Sequence, residues 1–175
     1  CLVSCLGFGL LFCKINRINH FNKNIGLVGI LGLFLLSFIA SLTHLFIPHG
    51  YSHNIILLFI GIISFIFIKR KKDYDLYTIL LFIFLILFIG LLISKNNEDF
   101  GYYHLTNTLQ FTQHKVQFGL GNLSHGFKHI TSLFLINSIF YFPGMEHYFF
   151  NITNYLFLVF FISFLIFELF KNRKI

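Results

Sequence analysis

The residues best suited to chemistry are two adjacent carboxylates, Glu98 and Asp99, which follow a long apolar run. A carboxylate in such a position can accept a proton from an attacking hydroxyl, or hold a divalent cation that bridges a phosphate. Aspartate is also a favoured helix N-cap, so Asp99 could instead begin a helix that runs to about Gln113. The two roles are compatible. The sequence therefore makes Glu98 and Asp99 catalytic candidates and a candidate position for a divalent cation.

The spacing after Asp99 constrains how this cluster could act. In a helix that begins at Asp99, Tyr102 and Tyr103 share its face, because residues three and four positions apart are neighbours. His104 is displaced by roughly 140° from that face. Asp99 and His104 reach one small ligand only if the first turn is irregular, which Gly101 permits. Asp99 is the first choice for the catalytic group, His104 is a further catalytic candidate, and Tyr102 and Tyr103 are substrate-binding candidates.

A second cluster is a glycine-rich segment at residues 117–126. Three glycines within eight residues imply a tight backbone path, which can present amide N–H groups to a phosphate or can be a plain turn. The segment matches neither a Walker loop nor a dinucleotide fingerprint. A lysine close behind it would suit a phosphate or anchor at lipid headgroups. The substrate-binding candidates of this cluster are Gly119, Gly121, Asn122, His125 and Lys128.

Two histidine pairs, His49/His53 and His125/His129, have the i, i+4 spacing that places two imidazoles on one helical face. Neither pair belongs to a His-Glu-x-x-His motif, and a glycine inside each pair argues against a regular helix. The sequence favours hydrogen bonding over zinc at these histidines, and no metal site is predicted from them.

The elements that must position these residues are membrane helices. The 175-residue chain is 57% hydrophobic and only 11% charged, against about 25% charged residues in soluble domains. Long apolar runs predict an all-α polytopic protein with about five spans, near residues 2–13, 25–47, 54–68, 76–94 and 152–170. The first run is half the spanning length and follows Cys1, so we expect a fragment of one larger polytopic domain. The run at 130–142 is too short to span and predicts an interfacial or re-entrant helix.

Basic residues predict the orientation, because Lys and Arg collect on the cytoplasmic side of span ends. Placing the loop after the first run inside also places inside the clusters at 69–72 and 171–174. Residues 95–151 then form a long outer segment. The formal charge of +7 thus reflects basic residues that mark the cytoplasmic side of the membrane, and no nucleic-acid partner is expected. The expected location is a bacterial inner (plasma) membrane.

The string Asp99-Phe-Gly-Tyr-Tyr-His-Leu and the later string Gly119-Leu-Gly-Asn-Leu-Ser-His resemble the paired boxes of an uncharacterised bacterial family of multi-pass membrane proteins. Ser124 is an insertion relative to the second box. That family is similar to GT-C glycosyltransferases, which use a polyprenyl-phosphate sugar donor and an acidic residue in an outer loop. The resemblance implies that Asp99, with Glu98, is the general base or metal-binding carboxylate. It also implies that residues 119–122 and 130–142 shape the lipid-phosphate and acceptor cleft.

The expected function is transfer of a sugar from a polyprenyl-phosphate donor to a cell-surface glycan or lipid acceptor on the outer face. Its partners would be membrane lipid and the donor. An O-antigen polymerase or ligase is the second enzymatic interpretation, and it would depend more on Lys115, Lys128 and His125. A transporter or flippase component is the non-enzymatic interpretation, although such proteins place polar residues at mid-membrane depth and these runs offer few.

Overall fold

A computed structural model of the chain describes residues 1–18, 24–69, 74–93, 98–123, 125–128, 131–142, 144 and 151–172. Across these ranges the regular structure is helical, which confirms the predicted all-α class. The helices are α1 (Leu2–Ile15), α2 (Ile25–His44), α3 (Tyr51–Ile68), α4 (Tyr74–Ile93), α5 (Leu105–Gln113), α6 (Leu120–Leu123), α7 (Ser132–Phe140) and α8 (Ile152–Asn172). A π-helical turn, Phe100–His104, precedes α5, and a 3₁₀ turn, His125–Lys128, follows α6.

Among the described residues, four helices are long and apolar enough to cross a membrane: α2, α3, α4 and α8. The 14-residue α1 is about 21 Å long, shorter than a full span. The predicted span at 25–47 extends past the end of α2 at His44, which Leu45 follows as the C-cap. A helix is disfavoured at Ile47 because this residue directly precedes Pro48. The predicted start at residue 54 was late, since α3 already begins at Tyr51.

Glycines let α1 lie directly against α2 and α3. A Cβ atom built on Gly32 would lie 1.8 Å from the carbonyl oxygen of Cys5, and one built on Gly7 would lie 1.7 Å from that of Gly61. Neither position has room for a larger residue. Helix association inside a membrane relies on such small residues, because they allow backbones to approach and pack closely.

Helix α8 joins α2 to α4. The buried ring of Phe160 lies over Gly29 of α2, and the Tyr155 hydroxyl donates a hydrogen bond to the Phe84 carbonyl of α4. At the far end of α8, Asn24 Nδ2 donates to Glu168 Oε1 across 2.9 Å. The Glu168 carboxylate is thereby held at the start of α2.

The bundle has two distinct ends. The basic end holds the start of α2, the end of α1 and the end of α3. Lys14 lies in the last turn of α1, and Lys69 directly follows α3. The capped end is where α2 finishes and α3 begins, and it is covered by α5 and α7. Of the other residues in the predicted cytoplasmic clusters, Arg17 follows α1 and Lys171 belongs to the last turn of α8. The rest lie outside the described residues: Lys23, Arg70, Lys71, Lys72, Arg173 and Lys174.

The nine-residue α7 confirms the prediction of a short helix at 130–142 that cannot span a bilayer. Residue 130, the first of the predicted run, and residue 143, which follows that run, lie outside the described residues. Residues Phe134, Ile139 and Phe140 are buried against the bundle, so α7 is an integral part of the capped end. The capped end holds most of the candidate site residues.

Candidate functional site

The chain enters α5 through the π-helical turn Phe100–His104. The N–H of Leu105 donates to the Phe100 carbonyl, an i to i+5 bond, and the helix continues to Gln113 as predicted. Asp99 has helical dihedrals, φ −69° and ψ −10°, and its side chain makes no capping hydrogen bond. Asp99 thus occupies the N-cap position that the sequence predicted, directly before the turn, but it does not cap the turn through its side chain. Single π-helical turns occur often at functional sites.

Asp99 lies beside Tyr103, four residues later in the chain, as the predicted i, i+4 spacing requires. The Tyr103 hydroxyl donates a hydrogen bond to Asp99 Oδ2 across 3.4 Å. The pKa of Tyr103 is raised above its ordinary value, first by partial desolvation and then by the charge of Asp99 and this hydrogen bond. Both Glu98 and Asp99 are solvent-exposed. An accessible carboxylate is thus oriented by a phenol four residues later.

An aromatic shelf, formed by Tyr102, Tyr103, His104 and Phe134, lies beside this carboxylate. The Tyr103 and His104 rings stack with centroids 4.4 Å apart, and His104 meets Phe134 of α7 edge-on at 5.0 Å. Tyr102 packs edge-on against Tyr103 and is 58% exposed. Asp99 and His104 are therefore linked through the Tyr103 ring, and Phe134 fixes the shelf to α7.

Asn107 joins the two sequence motifs, a role that sequence reasoning missed. Its side-chain amide donates to the Tyr103 carbonyl at 2.7 Å and to the Gly126 carbonyl at 3.0 Å. The residue is 1% exposed. The sequence feature that could have pointed to this role is a polar residue one helical turn after Tyr103. Within the part of the chain that the structure describes, Asn107 Oδ1 and the neighbouring Thr108 hydroxyl are buried without a hydrogen-bond partner.

The glycine-rich segment forms a turn and one turn of helix. Gly119 adopts φ +87°, a conformation that favours glycine. The N–H of Asn122 donates to the Gly119 carbonyl at 2.9 Å, so this amide is engaged within the segment. A Cβ on Gly121 would lie 3.2 Å from Cγ of Lys128. The segment and the 3₁₀ turn are thus packed together, while Asn122, His125 and Lys128 are exposed. Ligand binding by these residues stays a prediction.

A row of three histidines lies deeper in the capped end. The His49 ring centroid is 4.9 Å from that of His44 and 5.0 Å from that of His53, on which it stacks. His49 Nδ1 lies 2.6 Å from Ser138 Oγ, and Nε2 lies 3.0 Å from the Ala40 carbonyl oxygen. Burial lowers the pKa of His49 to about 3, with smaller contributions from the two neighbouring histidines. His49 is therefore a neutral hydrogen-bonding core residue at physiological pH.

A hydroxyl bonded to an imidazole is also the arrangement of an activated nucleophile. His49 and Ser138 are each 0% exposed, so a substrate cannot reach them. In the described part of the chain, no three His, Cys, Asp or Glu residues are grouped to hold a metal ion. His129, one member of the second histidine pair, lies outside the described residues. A divalent cation at Glu98 and Asp99 remains a prediction.

These features define the class: an α-helical protein whose four long apolar helices are of membrane-spanning type, with a polar and aromatic layer over one end of the bundle. The chain belongs to the DUF8201 family, since the family model described as "Domain of unknown function (DUF8201)" matches residues 1–175. Neither a curated protein nor a solved structure matches it.

Proposed function

We propose that the protein is a GT-C-like membrane glycosyltransferase, which transfers a sugar from a polyprenyl-phosphate donor to a cell-surface glycan or lipid acceptor. The observation that carries this proposal is the exposed Asp99 carboxylate, held by Tyr103 beside the aromatic shelf. Aromatic rings offer a surface on which the apolar face of a sugar can pack, and a carboxylate beside it can accept a hydroxyl proton. The arrangement therefore suits a carbohydrate acceptor.

In the proposed reaction the acceptor hydroxyl oxygen attacks the anomeric carbon of the donor sugar. The bond from that carbon to the phosphate oxygen breaks, and the polyprenyl phosphate leaves with the bonding electrons. Asp99 takes the hydroxyl proton, with Glu98 as the adjacent second carboxylate or as a partner in binding a divalent cation. Tyr103 orients Asp99, and His104 supports the Tyr103 ring.

The proposed orientation places the basic end in the cytoplasm of a bacterium and the capped end outside the inner membrane. The positions of Lys14 and Lys69 at one end support it. A cleft of about 240 Å³ between α2, α7 and α8 opens beside the capped end, and its walls include Phe34, Ile136 and Phe157. This largely apolar cleft would accept part of a polyprenyl chain.

The first experiment is native mass spectrometry of the gently extracted protein, to identify copurifying lipid. A bound polyprenyl-phosphate sugar is the expected result. The second experiment compares the rate of sugar transfer by the wild type and by Asp99→Asn. We expect the rate of the variant to be lower by about 10²–10⁴-fold, the range for loss of a general base.

Asp75→Asn is the matched control, because it removes the same charge from the first turn of α4, away from the capped end. Transfer should continue unchanged in this variant. If Asp99→Asn transfers sugar as fast as the control, the mechanism is wrong. If only bulk phospholipid copurifies, in several detergents and with added donor, a transporter or structural role becomes the better explanation.

A further inference from the structure

A second cavity of about 290 Å³ lies at the capped end, between the end of α2, α5 and the segment that leads to α6. We infer that this cavity binds the phosphate headgroup of an anionic membrane lipid, with Lys115 as its charged partner. It shares no residue with the aromatic shelf or the two carboxylates, and the inference does not depend on the proposed glycosyl transfer. Its walls are Ser41, His44, Leu45, Gln110, Phe111, Lys115, Val116, Gln117, Leu120 and Leu135.

The polar part of the wall offers donors suited to a phosphate. Lys115 is exposed at the rim. Gln110 Nε2 donates to Gln117 Oε1 across 2.7 Å, which fixes both amides and directs the Gln117 nitrogen away from that bond. Charge-assisted bonds from an ammonium group are among the strongest that a phosphate accepts.

His44 supplies an independent sign of a missing ligand. The residue is 3% exposed, and its Nδ1 atom is buried without a hydrogen-bond partner among the described residues. Its ring is held edge-on by Phe111 at 4.7 Å. Buried polar atoms are nearly always paired, so an unpaired nitrogen on a residue that lines the cavity indicates a partner that the described part of the chain does not provide. A phosphate oxygen would accept a hydrogen bond from this nitrogen in its protonated tautomer.

The apolar part of the wall favours a lipid over a soluble phosphate. The Val116 N–H donates to the His44 carbonyl at 3.1 Å, so the Lys115 segment is tied to the end of a membrane-spanning helix. Around that point Leu45 is 51% exposed, Phe46 75% and Phe118 96%. Exposed apolar side chains at a span end lie at the level of the lipid interface. A headgroup in the cavity would thus leave its acyl chains on an apolar surface.

The size of the cavity agrees with this assignment. Sites that enclose whole drug-sized ligands have about 300–1,000 Å³. A cavity of about 290 Å³ can hold a phosphate and its glycerol but not a complete lipid. The acyl chains would extend outside it, along α2, where Phe38 is 61% exposed.

The test uses the protein reconstituted in nanodiscs that contain equal amounts of phosphatidylglycerol and phosphatidylcholine, followed by native mass spectrometry of the retained lipids. We expect retained phosphatidylglycerol to exceed phosphatidylcholine. Lys115→Gln should lower the retained phosphatidylglycerol about fivefold, since one basic residue at a lipid surface is worth about 1 kcal/mol. Lys115→Arg keeps the positive charge and should retain as much phosphatidylglycerol as the wild type.

Lys14→Gln is the matched control, because it removes one charge at the basic end, and it should leave retention unchanged. Leu120→Trp keeps Lys115 but narrows the cavity, so it should also lower retention; this separates binding in the cavity from a general charge effect. Equal retention of the two lipids, or equal loss in Lys14→Gln and Lys115→Gln, would overturn the inference. Lys115-dependent binding of inorganic phosphate alone, followed by ³¹P NMR in lipid-free detergent, would overturn it in favour of a soluble ligand.

Discussion

The side chain of His49 is bonded to that of Ser138, with Nδ1 and Oγ 2.6 Å apart and both residues fully buried. This contact connects the loop between α2 and α3 to α7, across 89 positions of sequence. Asn54 Nδ2 donates to the Ser138 carbonyl at 2.7 Å, so α3 holds the same serine from a second side. Ser138 is thus one of the residues that fix the short helix α7 to the bundle.

Ser138→Ala should therefore lower the free energy of unfolding by about 1–3 kcal/mol, because it leaves the buried His49 Nδ1 without a partner. Thermal unfolding in detergent, followed by the loss of near-ultraviolet dichroism, measures the change. Ser132→Ala is the matched control, since Ser132 is an exposed serine on the same helix, and it should change stability by less than about 0.5 kcal/mol. Equal stabilities of the two variants would contradict this role.

The lowered pKa of His49 makes stability depend on pH. In the folded protein this pKa is about 3, below the ordinary value of 6.5. The unfolded chain therefore binds a proton between these values that the folded protein does not, and stability falls as pH decreases below about 6.5. Each pH unit lowers the free energy of unfolding by up to about 1.4 kcal/mol. We therefore expect this residue to lower the free energy of unfolding by about 1–2 kcal/mol between pH 7 and pH 5.

The measurement is unfolding at several pH values for the wild type and His49→Gln. The variant should be less stable at pH 7 and should lose less stability on acidification. His114→Gln removes an exposed histidine and should keep the wild-type pH profile. A His49→Gln profile parallel to that of the wild type would show that His49 is not the responsible group.

The sequence was sufficient to predict the helical class, the apolar segments and the short α7, because each depends on a local run of apolar residues and on its length. It was also sufficient to flag Gly101 as a place where the first turn of α5 could be irregular. It could not predict the tilt of these segments or their neighbours, which depend on contacts between distant residues. The contact of Gly32 with Cys5 is an example, since neither residue shows its partner in the local sequence.

That contact leads to a prediction on packing. Gly32→Ala should destabilise the protein by about 1–3 kcal/mol or more, the cost of inserting atoms into a filled core. A Cβ there would lie 1.8 Å from the Cys5 carbonyl oxygen, and backbone cannot move aside as a side-chain tip can. Gly90→Ala in α4 is the matched control, because a Cβ on Gly90 meets no atom of the described residues within 4 Å.

Thermal unfolding in the same detergent compares the two alanine variants. Gly90→Ala should match or exceed the wild type, because alanine favours helix over glycine by about 0.5–1 kcal/mol. Gly32→Ala should unfold at a lower temperature. If Gly32→Ala is as stable as Gly90→Ala, α1 does not pack on α2 as described.

The candidate site shows the same division between local and distant information. The Asp99 motif and the glycine-rich segment could be recognised as separate units, since each is contiguous. Their connection through Asn107 could not, because Gly126 is 19 positions away and is contacted through its backbone oxygen. Because every residue has a backbone carbonyl, residue type does not show which carbonyl accepts the hydrogen bond. The His44 cavity was missed for a related reason, since its walls come from α2, α5 and α7.

Asn107 gives the final prediction. Asn107→Leu removes the hydrogen bonds to the Tyr103 and Gly126 carbonyls, each worth about 1 kcal/mol. Amide hydrogen exchange in the 3₁₀ turn, residues 125–128, should become about tenfold faster, while exchange within α3 and α8 should stay unchanged. Asn154→Leu is the matched control, since Asn154 is exposed on α8, and it should leave the 3₁₀ turn as it is. Unchanged exchange in Asn107→Leu would mean that the two motifs are held together by other contacts, and the aromatic shelf and the glycine-rich segment would then have to be treated as independent sites.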